Sequence, residues 1–122
     1  SSPAAPCAGV ALGDGARGAA GALLDPAAGG EVHDLAGPQV LTTQEMGQQA
    51  AAVLGHPVEI RRISIESWLA GPGARLPGSA QDALVAMFRA YDDGGLVGDP
   101  ASLRGALGRP GTTWAAAVSR VP

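Results

Sequence analysis

Too few large side chains are present to build a thick core. Of the 122 residues, 25 are Ala, 19 Gly and 10 Pro, so 54 positions have little or nothing to pack. The large apolar set is 31 residues, of which Leu, Ile, Val and Phe supply 25. That composition borders on the range of chains that stay disordered. The net charge is only −3, however, and the apolar residues recur in clear periods. One folded domain with a thin core is the expectation.

Several function classes drop out. No apolar run reaches the 18 residues that a membrane span needs. Lys is absent and the eight Arg are scattered, so binding to nucleic-acid phosphates is not expected. Cys7 is the single cysteine, which excludes an internal disulfide and a Cys-based zinc site. Two His make any metal site improbable, and no metal or other cofactor is expected. The start, SSPAAPCAG, lacks a charged n-region and a long apolar stretch, so an intact signal peptide is not expected there. A cytoplasmic location is the default.

Along the chain, residues 1–8 contain Pro3 and Pro6 among small residues and read as a flexible arm. A single domain over residues 9–122 follows. Val10-Ala11-Leu12 reads as a strand end, and Asp14 as the cap of a helix running to Leu23-Leu24. Residues 31–35 read as a second strand and residues 58–63 as a third, with the alternation slipping at Arg61-Arg62. Between them lies the best-signalled helix. Thr42 and Glu45 form a T-x-x-E capping box, Met46, Ala50, Val53 and Leu54 form its stripe, and Gly55 ends it. After residue 64 the pattern is helical, with caps expected at Ser79, Asp99 and Thr112 or Thr113. The predicted fold class is a small α/β (α+β) domain, with two or three short strands at the front.

One motif tempts a cofactor assignment. Gly13-Asp14-Gly15-Ala16-Arg17-Gly18 spells G-x-G-x-x-G, and Asp34 follows Gly13 by 21 residues, where a dinucleotide fold places its ribose-binding acid. Against it, the preceding apolar run is only three residues long. No further β-α alternation follows residue 64 to complete a parallel sheet. In a chain this rich in Gly and Ala the match arises readily by chance, and no cofactor-binding residue is assigned.

Four segments carry a resemblance: GVALGDGARGAAGALLDP, VHDLAGPQVLTTQEMGQQAAAVLGHPVEI, DALVAMFRAYDDGGL and LRGALGRPGTTWAAAV. Together they resemble the C-terminal half of NmrA-like proteins, atypical short-chain dehydrogenase/reductases that bind NAD(P). Asp14 falls on the second acid of a V-D-V-x-D-I-A-like segment, where Ala11 replaces the first. Arg109 and Pro110 fall in a G-R-P-x-x-(T/S)-aromatic signature before the last helix. The resemblance implies that the family's Gly-rich cofactor loop belongs to an N-terminal Rossmann domain outside these residues. It implies a substrate-facing role for this part, without its own nicotinamide site.

The candidate site residues are few. Trp68, Met87, Phe88 and Tyr91 are the large soft side chains that could bind a small organic molecule, aromatic or polyketide-like. Tyr91, His33 and Asp34 are the candidate acid–base groups; core packing is the alternative for Tyr91, and a polar pair on the exposed face of an edge strand is the commoner explanation for His33 and Asp34. Three readings follow: a truncated substrate-binding region, a cofactor-independent biosynthetic enzyme such as a cyclase, isomerase or dehydratase, or an interaction module for a full-length reductase. Whether the chain catalyses anything is left open. A homodimer, or docking on a separate reductase chain, is expected, because unpaired strand edges and a small core need cover.

Overall fold

A computed structural model describes residues 4–30 and 32–121. Six α-helices occur among them: α1 (Leu12–Leu24), α2 (Thr43–Leu54), α3 (Ile65–Ala70), α4 (Gly78–Gly94), α5 (Ala101–Leu107) and α6 (Trp114–Val118). Short 3-10 turns at Pro26–Ala28 and Pro72–Arg75 follow α1 and α3.

The expected α/β class is not what forms. Among the described residues there is no β-ladder; Cys7 makes isolated bridges to Leu41 and Leu96. Residues 32–35 and 58–63 lack strand pairing, Leu12 is already helical, and Glu31 lies outside the described residues. Alternation of apolar and polar residues marks a segment that could pair, but a strand exists only where a second backbone supplies hydrogen bonds. Among the described residues no such partner lies alongside either segment, and both stay largely exposed.

The end of the segment read as an arm is tied in. Cys7 N–H donates to Leu41 O at 2.9 Å, and Leu41 N–H returns a bond to Cys7 O. Ala8 N–H donates to Leu96 O at 2.7 Å, and Leu96 N–H to Pro6 O at 2.8 Å. Residues 6–8 thus join the loop before α2 to the loop after α4. Gly37 belongs to the same junction: its N–H donates to Ala8 O, and a Cβ there would overlap Gly9 O. Residues 1–3 of that segment lie outside the described residues.

Helix α2 shows local chemistry at work. Thr42 N–H donates to Glu45 Oε2 at 2.8 Å and Glu45 N–H to Thr42 Oγ1 at 3.2 Å, completing the capping box. These bonds from Thr42 lower the Glu45 pKa. Gly55 ends the helix in the left-handed region at φ 72°. Other caps differ from expectation: α4 starts at Gly78 without a side-chain cap, and Asp14 lies inside α1. Asp99 does accept from Ala101 N–H, and Thr113 from Ala116 N–H.

The core is as thin as the composition demands. Leu103 on α5 is 1% exposed, and the other buried apolar residues are Ala8, Ala36 and Ala50. Leu103 packs over Gly18 on α1, where a Cβ would sit at ordinary contact distance, 3.6 Å, from its Cδ1. Helix α6 docks on α2 through Trp114, whose Nε1–H donates to Met46 O at 2.8 Å.

Outside that core the surface is unusually apolar. Leu12 is 93% exposed, Leu23 87% and Val32 95%. The accessible area is 8157 Å², against about 6,000 Å² for a compact monomer of this mass.

Candidate functional site

The most tightly built polar feature joins the two ends of the domain. Asp14, in the first turn of α1, is 4% exposed. Its Oδ1 accepts from Arg109 Nη2 at 2.6 Å and its Oδ2 from Thr112 N–H at 2.5 Å. The bonds from Thr112, then the Arg109 guanidinium, hold the Asp14 pKa at about 2. Arg109 also donates from Nη1 to Pro110 O, which fixes the guanidinium in place. The acid of the first family-like segment and the arginine of the last therefore meet across the fold. This contact escaped the sequence reading, which took Asp14 for a cap. The available signal was an acid buried in a Gly-rich helical stretch together with the G-R-P signature.

A groove of about 210 Å³ lies between residues 60–65 and the α3–α4 pair. Trp68 and Phe88 form its aromatic wall, with ring centroids 5.1 Å apart and planes at 86°. Ile60, Ile63 and Ile65 add aliphatic surface, and Thr43, Arg61 and Arg62 add polar surface. Ser64 caps α3 by accepting from Ser67 N–H at 3.0 Å, which positions the turn that presents Trp68. The fold thus brings Trp68 and Phe88 together. Met87, just before Phe88, and Tyr91, one turn after it on α4, are half-buried and line neither this groove nor the cavity beside α5.

His33 lies elsewhere. It lines a larger cavity of about 550 Å³ bounded by α1, the Pro26–Ala28 turn and α5, with Leu35, Ser102 and small residues of both helices. Asp34 is exposed beside it. The groups considered as acid–base partners are therefore divided: His33 lines this cavity, its neighbour Asp34 does not, and Tyr91 is on α4. Arg61, Arg62 and Thr43 were not among the candidates. The slip of alternation at Arg61-Arg62 was the signal that could have drawn attention to them.

Gly13 to Gly18 do not fit a dinucleotide. A phosphate-cradling loop keeps its amides free ahead of a helix. Here the motif lies inside α1, and Asp14 and Gly15 N–H already donate to Ala11 O at 2.9 and 3.0 Å. The buried Asp14 carboxylate occupies the same turn.

Neither a family model nor a curated protein matches the chain. Among solved structures, the fold is similar to part of an NADPH-dependent quinone oxidoreductase from Escherichia coli, with a TM-score of 0.81 and 26% identity. The match covers 95% of this chain and 42% of that one. The likeness is to part of a reductase. The chain spans less than half the length of that oxidoreductase. Among the described residues no cluster of three or more His, Cys, Asp or Glu could hold a metal, and no helix is long and apolar enough to cross a membrane.

Proposed function

We propose that this chain is the C-terminal, substrate-side region of an NmrA-like short-chain reductase, binding a small planar organic molecule against Trp68 and Phe88. The observation that carries this reading is the structural likeness over 95% of the chain to an NADPH-dependent quinone oxidoreductase. The edge-to-face aromatic pair in the 210 Å³ groove supports it, because a flat ligand can stack there with few polar contacts. In this reading the nicotinamide is held by a separate nucleotide-binding half, since Gly13 to Gly18 are committed to α1. A quinone is the natural first probe.

The two indole N–H groups make a built-in assay. Trp114 Nε1–H is bonded to Met46 O and serves as the internal control. Duroquinone is expected to shift the Trp68 indole cross-peak in a nitrogen-15 spectrum and to leave that of Trp114 in place. NADPH is expected to give no binding heat. A dissociation constant for NADPH tighter than about 100 μM, roughly −5.5 kcal/mol, would place a nicotinamide site within this chain and defeat the reading.

The partner follows from the same proposal. The excess accessible area is about 2,000 Å², more than one side of a standard protein interface. Leu12, Leu23 and Val32 need an apolar cover, supplied by a second copy or by a reductase chain. Light scattering behind a sizing column should give at least twice the 12.0 kDa chain mass at tens of micromolar. A monomer across a hundredfold concentration range would remove the homodimer and leave docking on a reductase chain.

A further inference from the structure

We infer that the groove beside Trp68 is selective for anionic aromatic ligands, an aryl carboxylate of one or two rings. The inference rests on the reading of this groove as the ligand site and adds the charge of its occupant. Its polar side chains include donors that lack an acceptor, while the Ser64 hydroxyl beside them is engaged with Ser67. Arg62 has no ion pair or hydrogen-bond partner among the described residues, and neither the Trp68 indole N–H nor the Thr43 hydroxyl has an acceptor there. Arg61 is held only by Glu59 at 3.6 Å, with both side chains more than three-quarters exposed. No acid lines the groove, although the chain as a whole is acidic.

The apolar part sets the rest of the ligand. Ile60, Ile63, Trp68 and Phe88 present a continuous apolar surface, and about 210 Å³ is below the usual range for drug-sized ligands. A naphthalene-sized ring system can lie on that surface with its carboxylate reaching the guanidinium of Arg62. Arginine matches a carboxylate with two parallel N–H bonds, and the pair is stronger than a neutral hydrogen bond. A ligand that only accepts hydrogen bonds satisfies all these donors; one carrying a cation meets two arginines and no acid.

The test compares 2-naphthoate with its neutral counterpart 2-naphthalenemethanol on the full chain. Both are titrated while the Trp68 and Trp114 indole signals are followed. Naphthoate should bind about tenfold more tightly, the solvent exposure of Arg62 keeping the factor modest. Arg62→Gln should abolish that preference and leave the affinity for the alcohol unchanged. Trp68→Phe should weaken both ligands. Equal affinities for the two ligands would overturn the charge selectivity while leaving the aromatic site intact. A preference that survives in the Arg61→Gln, Arg62→Gln double variant would place the anion seat elsewhere and overturn the inference. No response of Trp68 to either ligand would defeat both this inference and the reading on which it rests.

Discussion

Leu103→Ala should destabilise the domain by about 3 kcal/mol, the middle of the range for emptying a fully buried leucine site. Leu103 is 1% exposed and is the largest fully buried side chain of the fold. Its methyl groups reach the space over Gly18 on α1 and over Gly111 before α6, where a Cβ would meet Leu103 Cδ2 at 3.3 Å. The other buried apolar residues are alanines, which cannot extend into the vacated volume. Domains of this size are stable by only about 5–15 kcal/mol, so the loss is a large fraction of the total. A fall in melting temperature of about 10 °C is expected. Val97→Ala, at a position 58% exposed, should change it by no more than a degree or two. Equal shifts in the two variants would mean that Leu103 is not the centre of the core.

Asp14→Ala should be comparably damaging, for an electrostatic reason. It removes the acceptor for Thr112 N–H and the counter-charge for Arg109, separating α1 from the loop that leads into α6. A loss of about 10 °C in melting temperature is expected, since a buried polar group is costly to strand. The pH dependence identifies the cause. The folded-state pKa of Asp14, about 2, lies below its ordinary value of 3.8. The unfolded chain therefore takes up the proton first as pH falls, and acid favours unfolding. The stabilisation is complete above pH 3.8 and is lost as pH falls toward about 2. Melts of wild type and Asp14→Ala should accordingly differ most above pH 4 and converge between pH 4 and pH 2. A gap that stays constant down to pH 2 would show that the Asp14 charge does not contribute. Glu45 is held below its usual range by Thr42 in both proteins, so its acid response cancels in the comparison.

What could be read in the chain was what depends on near neighbours. The capping box of α2 needs only Thr42 and Glu45, three residues apart, and its end needs only the left-handed Gly55. The thin core followed from side-chain volume alone, because 54 Ala, Gly and Pro residues cannot fill an interior wherever they are placed. The aromatic residues of the groove were also visible as the few large soft side chains on an otherwise small-residue chain.

What the tertiary structure decided depends on partners remote in sequence. The alternation in residues 58–63 expressed a readiness to pair, but a strand is a property of two backbones and no second one lies there among the described residues. The role of Asp14 was decided by Arg109 and Thr112, 95 and 98 residues away, and a carboxylate cannot cap its own helix while buried against a distant guanidinium. Likewise His33 and Tyr91 were candidates on chemical type alone, and the packing of α1 on α5 placed His33 in a different cavity from the Trp68–Phe88 pair. Short-range hydrogen bonds and side-chain volume are written in the sequence; strand pairing, buried ion pairs and the membership of a cavity depend on which distant segments the folded chain brings within contact.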